Sequence, residues 1–380
     1  MNFSTFKSAN KLVTGQTALQ YLSQAVELFK IQKPLIVTDQ GVVKSGTINH
    51  VLDLLQVEYS VYDTVKAEPE IEQVQDCIHV FKQNGNDAVI GVGGGSALDI
   101  AKCVAALAGQ SGSVQDFLGT DKIRQRDIRL IVIPTTAGTG SEVTNIAILS
   151  DTANQMKQGM VSDFLLPDVA IVSPLMSVSC PASVTAASGV DALVHAVEAY
   201  ISVNRSDITD ALALDAIRLI AENLPKAYAL PDHLEAREKM ATASLMAGLA
   251  FGNAGVGAVH ALAYPLGGKY KMAHGVSNAL MLPYVLKWNV MGCAERFTRI
   301  AQAMNIETGA DHNSNAARVI EWLHDFCRKL NIPSGLRAFG IAETDIPALA
   351  MEAIKVERLL KNNPRRLTVQ DIEAIYQEAY

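Results

Sequence analysis

Several things are scarce in this 380-residue chain, and each scarcity removes a class of function. Cysteine occurs only five times, at positions 77, 103, 180, 293 and 327, with no Cys-x-x-Cys pair and an odd count. That pattern reads as free thiols in a reducing compartment, not as a disulfide framework. Positive charge is in deficit: the formal net charge is −7, which argues against nucleic acid or an anionic membrane as partner. No apolar run approaches the ~18 residues of a membrane span. The N-terminus, Met1-Asn2-Phe3-Ser4-Thr5-Phe6-Lys7, lacks the charged-then-apolar layout of a signal peptide. Internal repeats and low-complexity tracts are missing as well. A cytoplasmic protein is expected.

What is present is apolar bulk. Hydrophobic residues make up 49% and charged residues 19%, enough for a substantial core in one large or two medium domains.

The first half alternates. One or two short strands are expected over residues 3–14, a helix over 17–30, and a buried strand at Pro34–Asp39. A helix at about 43–56, a strand at Val57–Tyr62, a helix at 70–84 and a strand at 88–92 follow. Further strands are expected at Ile128–Ile133 and Val169–Val172. Strands alternating with helices indicate an α/β domain with a mainly parallel sheet. After the strand at 88–92 comes Gly93-Gly94-Gly95-Ser96-Ala97-Leu98-Asp99. Three glycines let a ligand approach the backbone, and a helix starting near Ser96 would offer free N–H groups to a pyrophosphate; a tight turn with no ligand is the plainer reading. Pro134-Thr135-Thr136-Ala137-Gly138-Thr139-Gly140-Ser141 is a second loop rich in small donors, which ordinary turn chemistry also explains.

From about 182 the pattern turns helical, with helices expected at 184–202, 206–225, 233–250, 252–263, 275–289, 292–303, 312–328, 344–352 and 368–379. Ser206 is a candidate cap, and Thr368 with Asp371 resembles a capping box. Inside this half, Gly189-Val190-Asp191-Ala192-Leu193-Val194-His195 puts a carboxylate and an imidazole four residues apart on one helix face. His260-Ala261-Leu262-Ala263-Tyr264-Pro265-Leu266-Gly267-Gly268, with His274-Gly275-Val276-Ser277-Asn278 beyond, offers two more imidazoles. One carboxylate and three imidazoles suit Fe(II), Zn, Co or Ni better than Ca or Mg. Taken singly, the Asp–His pair is an ordinary surface pair and each His a satisfied core residue. Their apolar helices favour the metal reading, because an unpaired charge there is costly.

These motifs resemble the iron-containing (group III) alcohol dehydrogenases, and the resemblance runs along nearly the whole chain. It implies a dehydroquinate synthase-like architecture: a Rossmann-like, dinucleotide-binding α/β domain over 1–182 and an all-α metal- and substrate-binding domain over 183–380. It implies NAD and Fe(II), with Zn possible, as cofactors, and Asp191, His195, His260 and His274 as metal ligands. Cofactor contacts are implied at Asp39, Gly94, Gly95, Ser96, Asp99, Thr135, Thr136, Thr139 and Lys157. Asp39 matches the residue that contacts the adenosine ribose, although it precedes the glycines where the usual dinucleotide fingerprint has it follow them; capping of the next helix is its alternative role. Its carboxylate would repel a 2′-phosphate and so favour NAD over NADP. Glu68-Pro69 stands where many relatives have Asn-Pro. Tyr264 stands where many have His, so the proton route is open, and the phenol is the candidate catalytic group. Phe251 and Leu359 match pocket-lining positions and could equally be core. Histidines 50, 79, 233, 312 and 324 match nothing functional and are expected at the surface. The implied activity is reversible hydride transfer between a small alcohol or diol and its aldehyde or ketone, in a homodimer. The competing reading is a dehydroquinate synthase-like lyase, or a reductase of a small oxo acid, on the same fold.

Overall fold

The computed structural model describes residues 4–152 and 156–380. The described residues divide into two compact units, Phe6–Cys180 and one comprising Pro181–Tyr380 with Ser4 and Thr5.

The first unit is built on a six-stranded parallel sheet. Its strands are β1 (Lys11–Thr14), β2 (Pro34–Val37), β3 (Ser60–Tyr62), β4 (Ala88–Gly93), β6 (Arg129–Pro134) and β9 (Val169–Val172), in the order β1-β9-β6-β4-β2-β3. β2, β4 and β9 are buried at every residue. Such strands, covered on both faces, carry continuous apolar runs in place of alternation. α1 (Tyr21–Leu28), α2 (Gln40–Lys44), α3 (Asn49–Leu52), α4 (Ile71–Gln83) and α5 (Gly95–Leu107) accompany them. Leu22, Val26, Ile36, Ile90, Ile131 and Ile171 belong to one core cluster. α5 approaches β4 so closely that a Cβ on Gly91 would lie 2.7 Å from the Ala101 methyl.

Three expectations need correction here. The strand expected over 3–14 covers only Lys11–Thr14; residues 4–10 form no regular element, and residue 3 lies outside the described residues. The helix expected at 43–56 is two short helices, because Gly46 turns the chain at φ +74° and Asp39 starts α2 earlier by capping it. The strand expected at 57–62 begins only at Ser60. A second, three-stranded sheet was not anticipated: β5 (Gly119–Thr120) pairs with β8 (Met156–Val161), which pairs antiparallel with β7 (Ile146–Asp151).

The second unit is helical: α6 (Ala182–Ile201), α7 (Asp207–Ala229), α8 (Leu234–Ala254), α9 (Ala258–Tyr270), α10 (His274–Ala303), α11 (His312–Lys329), α12 (Ile346–Ala353), α13 (Glu357–Leu360) and α14 (Val369–Glu378). α6 is buried at every residue from Gly189 to Ile201, the mark of a central helix that is apolar all round. The Thr368–Asp371 capping box is present, and Ser206 accepts the Thr209 N–H. α8 ends at Gly255, whose φ of +79° stops the helix, and α9 leaves at a bend of 102°. The helix expected at 252–263 therefore starts and ends elsewhere, as α9. The two helices expected at 275–289 and 292–303 are both present within α10, joined across a kink at the non-helical Cys293. No single helix among the described residues is long and apolar enough to cross a membrane; α8 and α9 reach that length only jointly, across their bend.

Candidate functional site

α6, α9 and α10 bring Asp191, His195, His260 and His274 together. One ligand atom from each lies within 4.8 Å of all the others. Asp191 and His195 come from adjacent turns of α6, His260 from the first turn of α9, and His274 from the first residue of α10. His195 Nε2 and His260 Nε2 are 3.1 Å apart, and His274 Nε2 is 4.0 Å from Asp191 Oδ1. Metal–nitrogen bonds of about 2.0–2.1 Å place two ligands on one ion roughly 3.0–3.4 Å apart, so the two imidazoles already stand at the spacing of ligands to a shared cation.

The surroundings favour a cation too. Burial works to raise the Asp191 carboxyl, but His195, His274, His260 and a hydrogen bond from Asn278 outweigh it and hold it below the ordinary value. Asp191, His195 and His260 are buried, while the His274 side chain is 33% exposed, so the cluster is open on the His274 side. An Asp/His3 set with one open side fits Fe(II) or Zn with room for a further ligand. Phe251 stacks on His195, with ring centroids 4.2 Å apart and planes 15° from parallel. The Tyr264 ring lies 6.4 Å from that of His274. Leu359 is buried core.

In the first unit, the C-terminal ends of β2, β4 and β6 gather the other expected residues. Gly94 caps the start of α5, and Gly95 is its first residue. The two loops after β4 and β6 are in contact: a Cβ on Gly95 would fall 2.7 Å from the Thr139 methyl, and one on Gly94 would fall 3.5 Å from Thr136 Oγ1. The Thr135 N–H donates to the Gly93 carbonyl at 2.9 Å. Asp39 Oδ1 accepts the N–H groups of Gly41 and Val42, so it does cap α2; its Oδ2 lies on the Gly93 side, 3.2 Å from where a Cβ there would be. Ser96 Oγ donates to the Ala67 carbonyl. Asp99 accepts from Ser141 Oγ and the Ile148 N–H. Lys157 pairs with Glu68 at 2.7 Å.

The sequence matches the iron-containing alcohol dehydrogenase description over residues 9–174, and that of the C-terminal domain of the Fe-containing alcohol dehydrogenase family over 185–380. The chain belongs to the iron-containing alcohol dehydrogenase family. It is 45% identical to long-chain-alcohol dehydrogenase 1 of Geobacillus thermodenitrificans over 96% of this chain and 94% of that one. It is 37% identical to the NAD-dependent methanol dehydrogenase of Bacillus methanolicus, over 97% of each chain. Its fold superposes on a crystal structure of a 1,3-propanediol oxidoreductase with a TM-score of 0.97 and 39% identity, covering both chains completely. Its activity class is therefore alcohol dehydrogenase, an oxidoreductase.

Sequence reasoning passed over several residues of this alcohol dehydrogenase that matter to the site. Asn278 Nδ2 lies 2.7 Å from Asp191 Oδ1 and 3.2 Å from His274 Nε2. Glu198 touches His260. Lys102 is buried beneath the threonine loop. Asn278 is four residues after His274 and Glu198 three after His195, so helical spacing from a ligand was the available signal. Of the histidines expected at the surface, 50, 79 and 312 are exposed. His233 and His324 are half-buried: the first caps α8 and the second packs edge-on against Tyr284.

Proposed function

We propose that this alcohol dehydrogenase is NAD-linked and metal-dependent, and that it moves a hydride reversibly between a small alcohol or diol and its aldehyde or ketone. The observation that carries the reading is the convergence of Asp191, His195, His260 and His274 within 4.8 Å. We assign these four as ligands of Fe(II), with Zn tolerated by the same donors. Residues 1–182 are read as the dinucleotide-binding domain and 183–380 as the metal- and substrate-binding domain. The metal supplies Lewis acidity at the substrate oxygen, and NAD carries the hydride.

The remaining work falls to the chain. The backbone N–H groups at Gly94, Gly95 and Ser96 open α5 and suit a pyrophosphate. Thr135, Thr136 and Thr139 supply donors beside them, and Lys157 supplies charge. Asp99 serves the same region indirectly by holding Ser141 and Ile148. Asp39 Oδ2 is left to accept from a ribose hydroxyl, since Oδ1 caps α2. Phe251 fixes the His195 ring by stacking. The Tyr264 hydroxyl is a proton exit, since a phenol can hydrogen-bond and relay a proton. We further read the enzyme as a cytoplasmic homodimer.

The test is anaerobic assay of the purified protein with Fe(II), NAD and a panel of small alcohols and diols, following NADH absorbance. Turnover is expected with the wild type. Asp191→Asn is expected to lose both bound iron and activity. No NADH from any alcohol, and no NADH consumed with any aldehyde, would rule the reading out.

A further inference from the structure

We infer that Glu198 is a positioning residue that fixes the tautomer of His260 and so sets the affinity of the metal centre; this rests on the metal reading above. Glu198 is 2% exposed and sits on α6, one turn past His195. Its two carboxylate oxygens have separate partners. Oε1 accepts the backbone N–H of Val259 at 2.7 Å, and Oε2 lies 2.6 Å from His260 Nδ1.

The first contact anchors the start of α9. Its N-cap position is Gly257, which has no side chain to satisfy the first N–H groups of the helix. Distant residues do so instead: Glu198 takes Val259, and Asn363 Oδ1 takes Ala258 at 3.3 Å. A carboxylate at a helix N-terminus is also favoured by the helix dipole. The fit is close, since a Cβ on Gly257 would stand 3.1 Å from Asn363 Oδ1 and 3.3 Å from Glu198 Oε1. His260 is therefore delivered by a helix end that Glu198 itself helps to hold.

The second contact decides where the imidazole proton resides. An ionised carboxylate only accepts, so His260 must donate through Nδ1–H. Nε2 is then bare, and it points at the ligand cluster, 3.1 Å from His195 Nε2. A metal-bound His is commonly oriented and made more basic in this way by an outer carboxylate, and loss of such a partner costs about 10- to 100-fold in metal affinity.

Glu198→Gln separates this role from a merely structural one. The glutamine has nearly the same shape. A backbone N–H can only donate, so the amide oxygen stays with Val259. The amide NH2 then faces His260 Nδ1, which must accept, and the proton moves to Nε2, the atom the metal needs. The experiment titrates metal-stripped full-length protein with Zn2+ against a chromophoric chelator. A loss of about 10- to 100-fold in affinity is expected for Glu198→Gln, with the circular dichroism spectrum retained. Nitrogen-15 NMR of histidine-labelled, metal-free wild type supplies a second readout that does not depend on the variant's folding. The His260 signals, assigned by their loss in His260→Ala, are expected to report Nδ1–H in the wild type. Unchanged Zn2+ affinity in Glu198→Gln, or Nε2–H in the wild type, would overturn the inference. A wild type that binds no Zn2+ would defeat the metal reading itself, and the tautomer measurement would still judge Glu198.

Discussion

The ammonium of Lys102 lies 2.8 Å from the Ser141 hydroxyl in a cage with no solvent exposure. The Ser141 carbonyl at 3.0 Å, Thr144 Oγ1 at 3.3 Å and the Ile146 carbonyl complete its hydrogen bonds, and Asp99 stands 3.4 Å away. Burial lowers the lysine's pKa, while Asp99 acts to raise it. The cage ties α5 to the segment that runs from the threonine loop into β7, so the glycine loop and the threonine loop are held as one piece.

Lys102→Met should therefore damage two things together. Removing the ammonium takes a donor from the Ser141 and Ile146 carbonyls and the counter-charge from Asp99, and breaking a buried ionic network from one side costs about 3–5 kcal/mol. A lower urea midpoint is expected, with a raised KM for NAD and an unchanged iron content, because the metal ligands lie in the other unit. Urea titration, initial rates and metal analysis check the three parts.

Glu142, the next residue along, makes stability depend on pH. Burial pushes its carboxyl from 4.5 up to about 7, against the opposing effects of its own backbone N–H and Lys102. The folded protein thus holds this proton where the unfolded chain has lost it. The contribution is complete below about pH 4.5 and is lost as pH rises through about 7. Glu142→Gln removes the dependence. Relative to the variant, the wild type should lose stability between pH 5 and pH 8, by an amount of order 3 kcal/mol, measured by urea unfolding at each pH. Parallel pH profiles would show that Glu142 does not titrate in this window.

Asp39 has two jobs that one substitution can divide. Its Oδ1 caps α2 through Gly41 and Val42, and a serine hydroxyl can do the same. Only the carboxylate repels a 2′-phosphate. Asp39→Ser should leave the melting temperature nearly unchanged while the ratio of kcat/KM for NAD over that for NADP falls by about tenfold or more, as loss of ~1.4 kcal/mol of discrimination would give. A ratio that stays constant would remove Asp39 from the ribose site.

The parts of this fold legible in the sequence were those encoded locally. β2, β4 and β9 stand out because a strand buried on both faces is a bare apolar run. The four metal-cluster residues stand out because two motifs carry them. What was missed depends on distant partners. Lys102 in a helix reads as a solvated charge until β7 and the Ser141 loop close over it. β8 was hidden because Lys157, Gln158 and Gly159 interrupt it, so no continuous apolar run marks it. Glu198 stands three residues beyond His195, but its meeting with His260 spans 62 positions of chain.

Gly275 shows how backbone packing sets the spacing of the metal cluster. It follows His274, and a Cβ there would sit 2.5 Å from the Ala187 carbonyl oxygen and 2.9 Å from its carbon, both backbone atoms of α6. A flexible side chain could yield to that methyl, but a helix backbone cannot without moving. Gly275→Ala must therefore push the start of α10 away from α6 and separate His274 from Asp191. Overpacking of this kind costs about 1–3 kcal/mol, and part of it should appear as weaker metal binding, about tenfold for ~1.4 kcal/mol. Gly309→Ala is the control, because a Cβ there meets nothing within 4 Å. Calorimetric melting and Zn2+ titration of the two variants are expected to separate them on both measures. Equal Zn2+ affinities would mean that the α6–α10 contact does not govern the cluster.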